Sequence, residues 1–179
     1  MSIEVIDYDP AWPDMAAAAI TELRPVLHGV VAAIEHIGST AVPGLAAKPT
    51  IDLMAAAADF DEVDRRAPAL AELGYQRHAN GMTDRLLYVR FARGRRTHIL
   101  HVVAEDSWPT RNQRILRDYL RAHPREAARY AELKRNLAKA GTHPGDYARA
   151  KTALIQELTD RARAERGLPS LPVREKEQR

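Results

Sequence analysis

Strand-like and helix-like segments occupy different parts of this chain, and that division limits the folds available to it. Apolar segments rich in β-branched residues predict strands over 30–37, 50–56, 75–78, 85–91 and 97–104. Helical spacing of apolar residues predicts helices over 13–27, 59–73, 108–122, 125–139 and 146–165. From Ser107 onwards every patterned segment is helical. The order predicts an α+β domain with a helical C-terminal half.

The length and the C-terminal composition predict one folded domain followed by a short tail. A chain of 179 residues is long enough for one domain with a substantial core. We expect the domain to span residues 1–166. Residues 167–179 contain two prolines and many charged side chains, a composition that favours disorder.

Composition excludes several classes of protein. The chain has no cysteine, so disulfide scaffolds, thiolate zinc sites, iron–sulfur clusters and cysteine nucleophiles are all excluded. No apolar segment approaches the roughly 18 residues that a membrane helix needs. The N-terminus, Met1 to Glu4, lacks the basic and apolar regions of a signal peptide. We therefore expect a cytoplasmic protein without a membrane partner.

Charge is distributed unevenly along the chain. Residues 1–84 contain 13 acids and 5 bases, whereas residues 85–179 contain 11 acids and 22 bases. Arginine is the dominant base, which a GC-rich genome alone would explain. The alternative is an acidic layer that holds a metal opposite a basic layer that holds an anion, since arginine presents donors that match phosphate geometry.

The segment from His36 to Leu53 has a spacing suited to phosphate chemistry. A strand ends at Gly38 and Ser39, and Asp52 follows inside the next strand. Glycine lets the backbone approach a phosphate closely, and the serine hydroxyl can hold a phosphate oxygen. An aspartate on the neighbouring strand can bind Mg²⁺ that bridges the phosphates. We expect these three residues to face one cleft.

The same segment resembles the longest motif of the GrpB family, and further family motifs follow in the same order. They are Tyr8, Pro10 and Trp12, the segment 36–52, Thr97 to Val102, Arg117 to Arg121 with His123 and Pro124, Tyr130, Leu133 and Lys134, then Tyr147 and Lys151. The resemblance implies a nucleotidyltransferase-like mixed β-sheet with helices packed on it. Related domains also occur fused to dephospho-CoA kinase.

The resemblance implies an activity and gives roles to particular residues. Nucleotidyltransferases of this fold use a Gly-Ser pair and two acids that hold metal ions around a nucleotide triphosphate. Gly38 and Ser39 match the pair, and Asp52 matches the second acid, which implies a Mg²⁺ ligand. Lys48 or the arginines would hold the charge that develops on the leaving pyrophosphate, and Lys48 is the catalytic candidate beside Asp52. Thr50 stands at the position of the first acid, and Glu35, Asp84 and Asp118 are the candidates to replace it.

The remaining candidates are expected to contact a ligand. They are His36, Thr40, Arg85, Arg90, His98, His101, Arg117, Tyr119, Lys134, Tyr147 and Lys151. Strand alternation places His98 and His101 on opposite faces, so they should not bind one metal together. The same argument separates Arg85 from Arg90. For each candidate a structural role, as a packed side chain or a solvated ion pair, is the alternative.

Two functions follow from these residues. The first is a nucleotidyltransferase that binds a nucleotide triphosphate with Mg²⁺. The second is a non-catalytic module that binds a nucleotide or another phosphorylated small molecule, which Thr50 favours. A nucleic-acid partner, for which the basic helical half is the candidate surface, is not expected, because aromatic residues make up only 6% of the chain and we find no known reader motif.

Overall fold

The computed structural model describes residues 4–79, 81–141 and 143–173. The strands are β1 (Val31–Ile37), β2 (Ile51–Ala57), β3 (Tyr75–Arg77), β4 (Arg85–Ala92) and β5 (Arg95–Ala104). The helices are α1 (Trp12–Val26), α2 (Phe60–Asp64), α3 (Ala67–Glu72), α4 (Asn112–Ala122), α5 (Pro124–Lys139) and α6 (Pro144–Glu165). Short 3-10 turns lie at Ser39–Ala41 and Glu105–Thr110.

The strands form one mixed sheet in the order β1-β2-β5-β4-β3. Only the β2–β5 pair is parallel among the described strand pairs, and the others are antiparallel. The predicted α+β class, with a mixed sheet and a helical C-terminal half, is therefore confirmed. The parallel pair brings the start of β2 next to the start of β5, although the two strands are far apart in the sequence.

One face of the sheet packs on α1 and α3. The apolar residues Trp12, Ala16, Ala19 and Leu23 recur at helical spacing along α1 and are buried. They join a core that includes alternate residues of β2, since Ile51, Leu53, Ala55 and Ala57 share the face toward α1. The opposite face of the same strand carries Asp52 and Met54.

The three C-terminal helices build a second core of their own. It contains Ile115 and Leu120 of α4, Tyr130 of α5 and Leu158 of α6. The loop after β1 inserts three apolar side chains into this core, namely Val42, Leu45 and Ala46. This loop therefore connects the sheet to the helical layer. No helix in the described part of the chain is long and apolar enough to cross a membrane.

Two helix boundaries differ from their predicted positions. The helix predicted after Asp59 is divided into α2 and α3, with Pro68 in the first turn of α3. The helix predicted from residue 108 begins at Asn112, because the segment around Pro109 forms a 3-10 turn instead. Proline cannot donate a backbone hydrogen bond, and its ring clashes inside a helix, so the break before α3 follows from covalent geometry. At the second boundary the extended backbone of Arg111, with ψ 124°, separates the 3-10 turn from α4.

The tail differs from its prediction between residues 167 and 173. Leu168 and Val173 pack against the helical core, and Gln156 bonds to Leu171 O at 3.0 Å and to Val173 N at 2.7 Å. The buried Arg163 donates to Pro169 O. The prediction of disorder is wrong for this stretch, because α6 offers it both apolar surface and side-chain partners. The rest of the predicted tail, 174–179, lies outside the described residues.

Removal of the docked tail should destabilise the protein. A chain that ends at Arg166 loses the apolar contacts of Leu168 and Val173, and it exposes part of the helical core. We expect its melting temperature to fall by several degrees, since a loss of about 1–2 kcal/mol shifts the midpoint of a domain of this size by about 2–4 °C per kcal/mol. A chain that ends at Val173 is the matched control. Equal melting temperatures for the two truncations would contradict the docking.

Candidate functional site

Gly38 and Asp52 touch where β1 ends beside β2. The antiparallel register pairs Ile37 with Asp52, so the residue after the strand lies against the aspartate. Gly38 has φ 76° and ψ −172°, a conformation that is essentially restricted to glycine. A Cβ atom on Gly38 would lie 3.0 Å from Asp52 Oδ2. Glycine is thus required here both by the backbone conformation and by the close approach of the carboxylate.

The next residue, Ser39, is bonded to a buried lysine of the helical layer. Lys134 Nζ on α5 donates to Ser39 Oγ at 2.7 Å and to Ala46 O at 2.8 Å. The ammonium also lies 4.2 Å from the centre of the Tyr130 ring, one turn earlier on the same helix. Lys134 is only 4% exposed. A fixed positive charge therefore lies directly behind the serine hydroxyl.

Asp52 contacts a histidine on the other neighbouring strand. His101 Nε2 and Asp52 Oδ1 are 3.1 Å apart, and the aspartate side chain remains 29% exposed. His98 lies on the opposite face of β5, with its ring 6.3 Å from that of Tyr75. The alternation expected from the sequence therefore separates the two histidines. Burial lowers the pKa of His98, and the nearby Arg90 lowers it further.

His36 and Thr40 form a separate pair at the base of the loop. His36 Nε2 lies 2.8 Å from Thr40 Oγ1, and Arg121 donates to the neighbouring Ala41 O at 2.8 Å. His36 is paired with Leu53 and therefore projects from the face opposite to that of Asp52. Burial, aided by the charge of Arg121, lowers the pKa of His36 to about 4. The imidazole is therefore neutral at pH 7.

Arg117 and Tyr119, which both lie on α4, have structural partners. Arg117 Nη1 donates to Glu35 Oε2 at 2.7 Å and to His36 O at 3.0 Å, which joins the helix to the edge strand β1. Tyr119 packs in the helical core and stacks on His123 at 4.0 Å between ring centres. Neither side chain lies in the group formed by Gly38, Ser39, Asp52 and Lys134.

Each of the three acids considered as a replacement at position 50 is bonded to two arginines. Glu35 pairs with Arg114 and Arg117, Asp84 with Arg85 and Arg111, and Asp118 with Arg117 and Arg166. Burial alone would raise the pKa of these carboxyls, but the arginine hydrogen bonds outweigh it. They lower the pKa of Asp84 to about 2 and lower that of Glu35 and Asp118 as well. All three are thus ionised and engaged by arginine.

Arg85 and Arg90 lie away from the group around Ser39. Arg85 pairs with Val103 of β5, whereas Asp52 pairs with Ile99 of the same strand. These two partners are four residues apart, which is roughly 13 Å at the rise of a strand. Arg90 lies on the α1 face, where it donates to Glu22 at 3.0 Å. The predicted separation of the two arginines agrees with the register of β4.

Lys48, Tyr147 and Lys151 lie where the loop returns to the sheet and meets α6. Lys48 Nζ is 5.6 Å from the centre of the Tyr147 ring, which is buried. Lys151 follows one turn later on α6 and is partly buried. Lys48 lies two residues after Ala46, whose carbonyl oxygen accepts a hydrogen bond from Lys134. Lys48 is therefore close in the sequence to the group around Ser39.

The residues do not fit a pair of metal ions. Thr50 carries no charge, and its hydroxyl donates to Arg96 O at 3.2 Å. Among the described residues, no group of three His, Asp or Glu side chains is arranged to hold a metal ion. Asp52 alone can supply a carboxylate to one Mg²⁺ that also binds ligand phosphates, which is a common arrangement for that ion.

Taken together, the group offers one fixed cation, one hydroxyl, one carboxylate and a backbone that only glycine allows. Two shallow cavities of about 260 Å³ lie elsewhere, one beside Glu4 and Arg135 and the other beside Asp118 and Glu165. Lys134 was a ligand candidate from the sequence, whereas Tyr130 beneath it was named only as a motif residue, although a spacing of four on a helix is a signal for such contact. Arg121 was likewise named only within a motif, because its bond to Ala41 O, 80 positions away, leaves no pattern in the sequence.

A mixed sheet with a Gly-Ser turn against a strand aspartate, joined to a helical layer by a buried lysine, defines a small α+β protein with a candidate anion site. The chain belongs to the GrpB family, because the family model described as GrpB protein matches residues 2–161. The membership predicted from the motifs is confirmed.

Bacterial relatives and one solved structure cover almost the whole chain. UPF0157 protein PA4798 of Pseudomonas aeruginosa is 39% identical, over 90% of this chain and 68% of its own length. UPF0157 protein BH1888 of Halalkalibacterium halodurans is 34% identical, over 91% of this chain and 84% of its own. The crystal structure of the conserved protein GrpB from Enterococcus faecalis superposes with a TM-score of 0.84 at 30% identity, covering 92% of this chain and 99% of that one.

A shorter similarity links the chain to a larger enzyme. Dephospho-CoA kinase of Mycobacterium bovis is 34% identical over 76 residues, which is 41% of this chain and 19% of the kinase. The match agrees with the expectation that related domains occur fused to that enzyme.

Proposed function

We propose that this protein binds a nucleotide or another phosphorylated small molecule at the turn of Gly38 and Ser39. The hydrogen bond from the buried Lys134 ammonium to Ser39 Oγ is the observation that carries the proposal. Because the ammonium can only donate, Ser39 Oγ is the acceptor, and the hydroxyl hydrogen must point away from Lys134. The serine is therefore prepared to donate to an anionic oxygen, with a positive charge behind it.

Phosphate suits this arrangement better than a neutral ligand does. Hydrogen bonds that involve a charged group are roughly twice as strong as neutral ones, and a fixed cation loses little entropy when the ligand arrives. The Cβ position of Gly38 is filled by the Asp52 side chain, so the ligand phosphate is expected at the Ser39 hydroxyl rather than against Gly38. A nucleotide ligand also agrees with the cytoplasmic location expected from the sequence.

Transfer of a nucleotidyl group is the second candidate, and the position of Asp52 favours it. Its carboxylate lies against Gly38, where it would repel a bound phosphate unless a cation intervened. Mg²⁺ held by Asp52 and the ligand phosphates would remove this repulsion and, when bound, would stabilise charge on the reacting phosphate. Lys48 would then serve as the second positive group. Thr50 counts against this candidate, because a second carboxylate is missing.

Calorimetric titration of the protein with ATP and with pyrophosphate, each with and without Mg²⁺, tests the proposal and separates the two candidates. The wild type is compared with Asp52→Asn, which keeps the shape of the side chain and removes its charge. If Asp52 acts through Mg²⁺, the ion should tighten binding to the wild type by about 10-fold or more and have little effect on the variant. If the protein is a metal-free module, the variant should bind at least as tightly as the wild type.

Absence of binding to either probe at millimolar concentration would overturn the proposal. Mg²⁺-dependent binding without release of pyrophosphate from ATP, tested over a panel of small-molecule acceptors, would support binding and count against transfer.

A further inference from the structure

The turn between β4 and β5 presents an aromatic side chain among arginines. We call this segment, Phe91–Arg96, the basic turn. Phe91 is 55% exposed, the highest value among the exposed large apolar residues of the described chain. The guanidinium of Arg96 lies 5.8 Å from the centre of the Phe91 ring, within the range of a cation–π contact. An exposed phenylalanine with an arginine against it is an available stacking surface.

The conformation of Arg93 is unusual for its residue type. Arg93 has φ 51° and Gly94 has φ 73°, so both central residues of the two-residue turn are left-handed. Such turns favour Asn-Gly or Gly-Gly, since a side chain with a Cβ is strained in this region. The arginine side chain is exposed and adds charge at the tip of the turn. The turn thus contains a residue that its backbone disfavours and whose charge faces solvent.

The net charge of the basic turn remains positive after its ion pairs are counted. Arg95, with a side chain 75% exposed, pairs with Glu4 at 3.0 Å. No ion pair of Arg93 or Arg96 with a carboxylate is found among the described residues. One of these charges, Arg96, lies against Phe91, and the other, Arg93, is two residues away at the tip of the turn.

The sheet register places the basic turn at the same end of the strands as the candidate site. β5 begins at Arg95, whereas its pairing with β2 begins three residues later, at His98 opposite Ile51. The turn therefore extends beyond the end of the sheet at which β2 begins and β1 ends. The bond from Thr50 Oγ1 to Arg96 O joins the two regions directly.

We propose that the basic turn binds single-stranded nucleic acid, with a base stacked on Phe91 and phosphates held by Arg93 and Arg96. Stacking on an aromatic side chain combined with arginine contacts to the backbone is a common way to bind single strands. An acidic protein segment would use the arginines but has no particular need for an exposed ring. The composition argues against a nucleic-acid partner because aromatic residues are few, but Phe91 is an exposed aromatic ring with an arginine beside it. The inference does not depend on the function proposed for Ser39.

Fluorescence anisotropy with labelled oligo(U) and oligo(dT) of about ten nucleotides tests this surface. Phe91→Ala should weaken binding by about 5- to 150-fold, the range that corresponds to loss of one stacked base. Arg93→Gly suits the turn conformation, so the fold should be retained. It should weaken binding and reduce the slope of log affinity against log salt by about 1. Met15→Ala and Arg65→Gly are the controls, since they remove an exposed apolar side chain and an exposed arginine elsewhere.

Binding that is lost in both turn variants and kept in both controls would support the inference. Equal affinity of all five proteins would overturn it, as would absence of binding by the wild type at low salt. Binding of polyglutamate with the same dependence on Arg93, and no binding of either oligonucleotide, would also overturn it and indicate an acidic protein partner.

Discussion

Replacement of Lys134 by methionine should lower the free energy of unfolding by about 3 kcal/mol and weaken the binding of a phosphorylated ligand by at least about 10-fold. Methionine has a similar length and fills the same space, but it cannot donate. Ser39 Oγ and Ala46 O would lose their partner, and the anion would lose the charge behind the serine. Urea unfolding and calorimetric titration with ATP measure the two effects.

The same change at Lys139 provides the control, because that lysine lies on the same helix and is exposed. Lys139→Met should alter stability by less than about 0.5 kcal/mol, as is usual for surface substitutions. The double variant Ser39→Ala with Lys134→Met separates two roles. If Lys134 acts through Ser39, the two losses of affinity should be less than additive. Fully additive losses, or a Lys134→Met variant with unchanged stability, would contradict the structure.

Replacement of Gly38 by alanine should also have a large effect, through two contributions. The conformation of Gly38 costs about 1–3 kcal/mol for a residue with a side chain. The new Cβ would lie 3.0 Å from Asp52 Oδ2 and 3.2 Å from Asp52 Cβ, so the aspartate must move. We expect a loss of stability near the upper end of that range and, because Asp52 moves, loss of any dependence of binding on Mg²⁺.

Gly44→Ala is the matched control for backbone strain. Gly44 has φ 78° and lies in the same loop, but a Cβ there meets no atom within 4 Å. The difference in unfolding free energy between the two variants therefore includes the contact with Asp52, which only Gly38→Ala creates. Equal destabilisation would show that Gly38 and Asp52 do not lie as close as described.

Much of the fold follows from patterns that are local in the sequence. Helix α1 has apolar residues at helical spacing, and β2 is apolar on both faces apart from Asp52, so both were predicted with nearly correct bounds. The strand order could not be predicted in this way. The parallel pairing of β2 with β5 joins residues 47 positions apart, such as Ile51 and His98, and depends on how helices and strands pack together.

The candidate site was predictable in part for a similar reason. Gly38, Ser39 and Asp52 lie within 15 residues, so a strand, a turn and a second strand suffice to bring them together. The contact of Ser39 with Lys134 spans 95 positions, and only the packing of α5 on the loop creates it. Arg85 was a candidate because of its residue type and Tyr119 because of its place in a family motif. Their partners are an adjacent aspartate and the helical core.

The tail shows where composition misleads. Prolines and charges between 167 and 179 resemble those of disordered segments, yet Leu168 and Val173 find apolar surface on the helical core. The carbonyl and amide groups between them bond to Gln156, a polar side chain that gives no sequence signal for this role. A short stretch can be ordered by a few long-range partners even where its own composition is unfavourable.

The loop from Gly38 to Lys48 belongs to both layers of the molecule. It starts at the sheet, inserts Val42, Leu45 and Ala46 into the helical core, and returns to β2. Separation of the helical half from the sheet would expose these side chains and break the bonds of Lys134. The acidic, strand-rich half and the basic, helical half should therefore unfold as one cooperative unit, although charge and secondary structure divide the sequence in two.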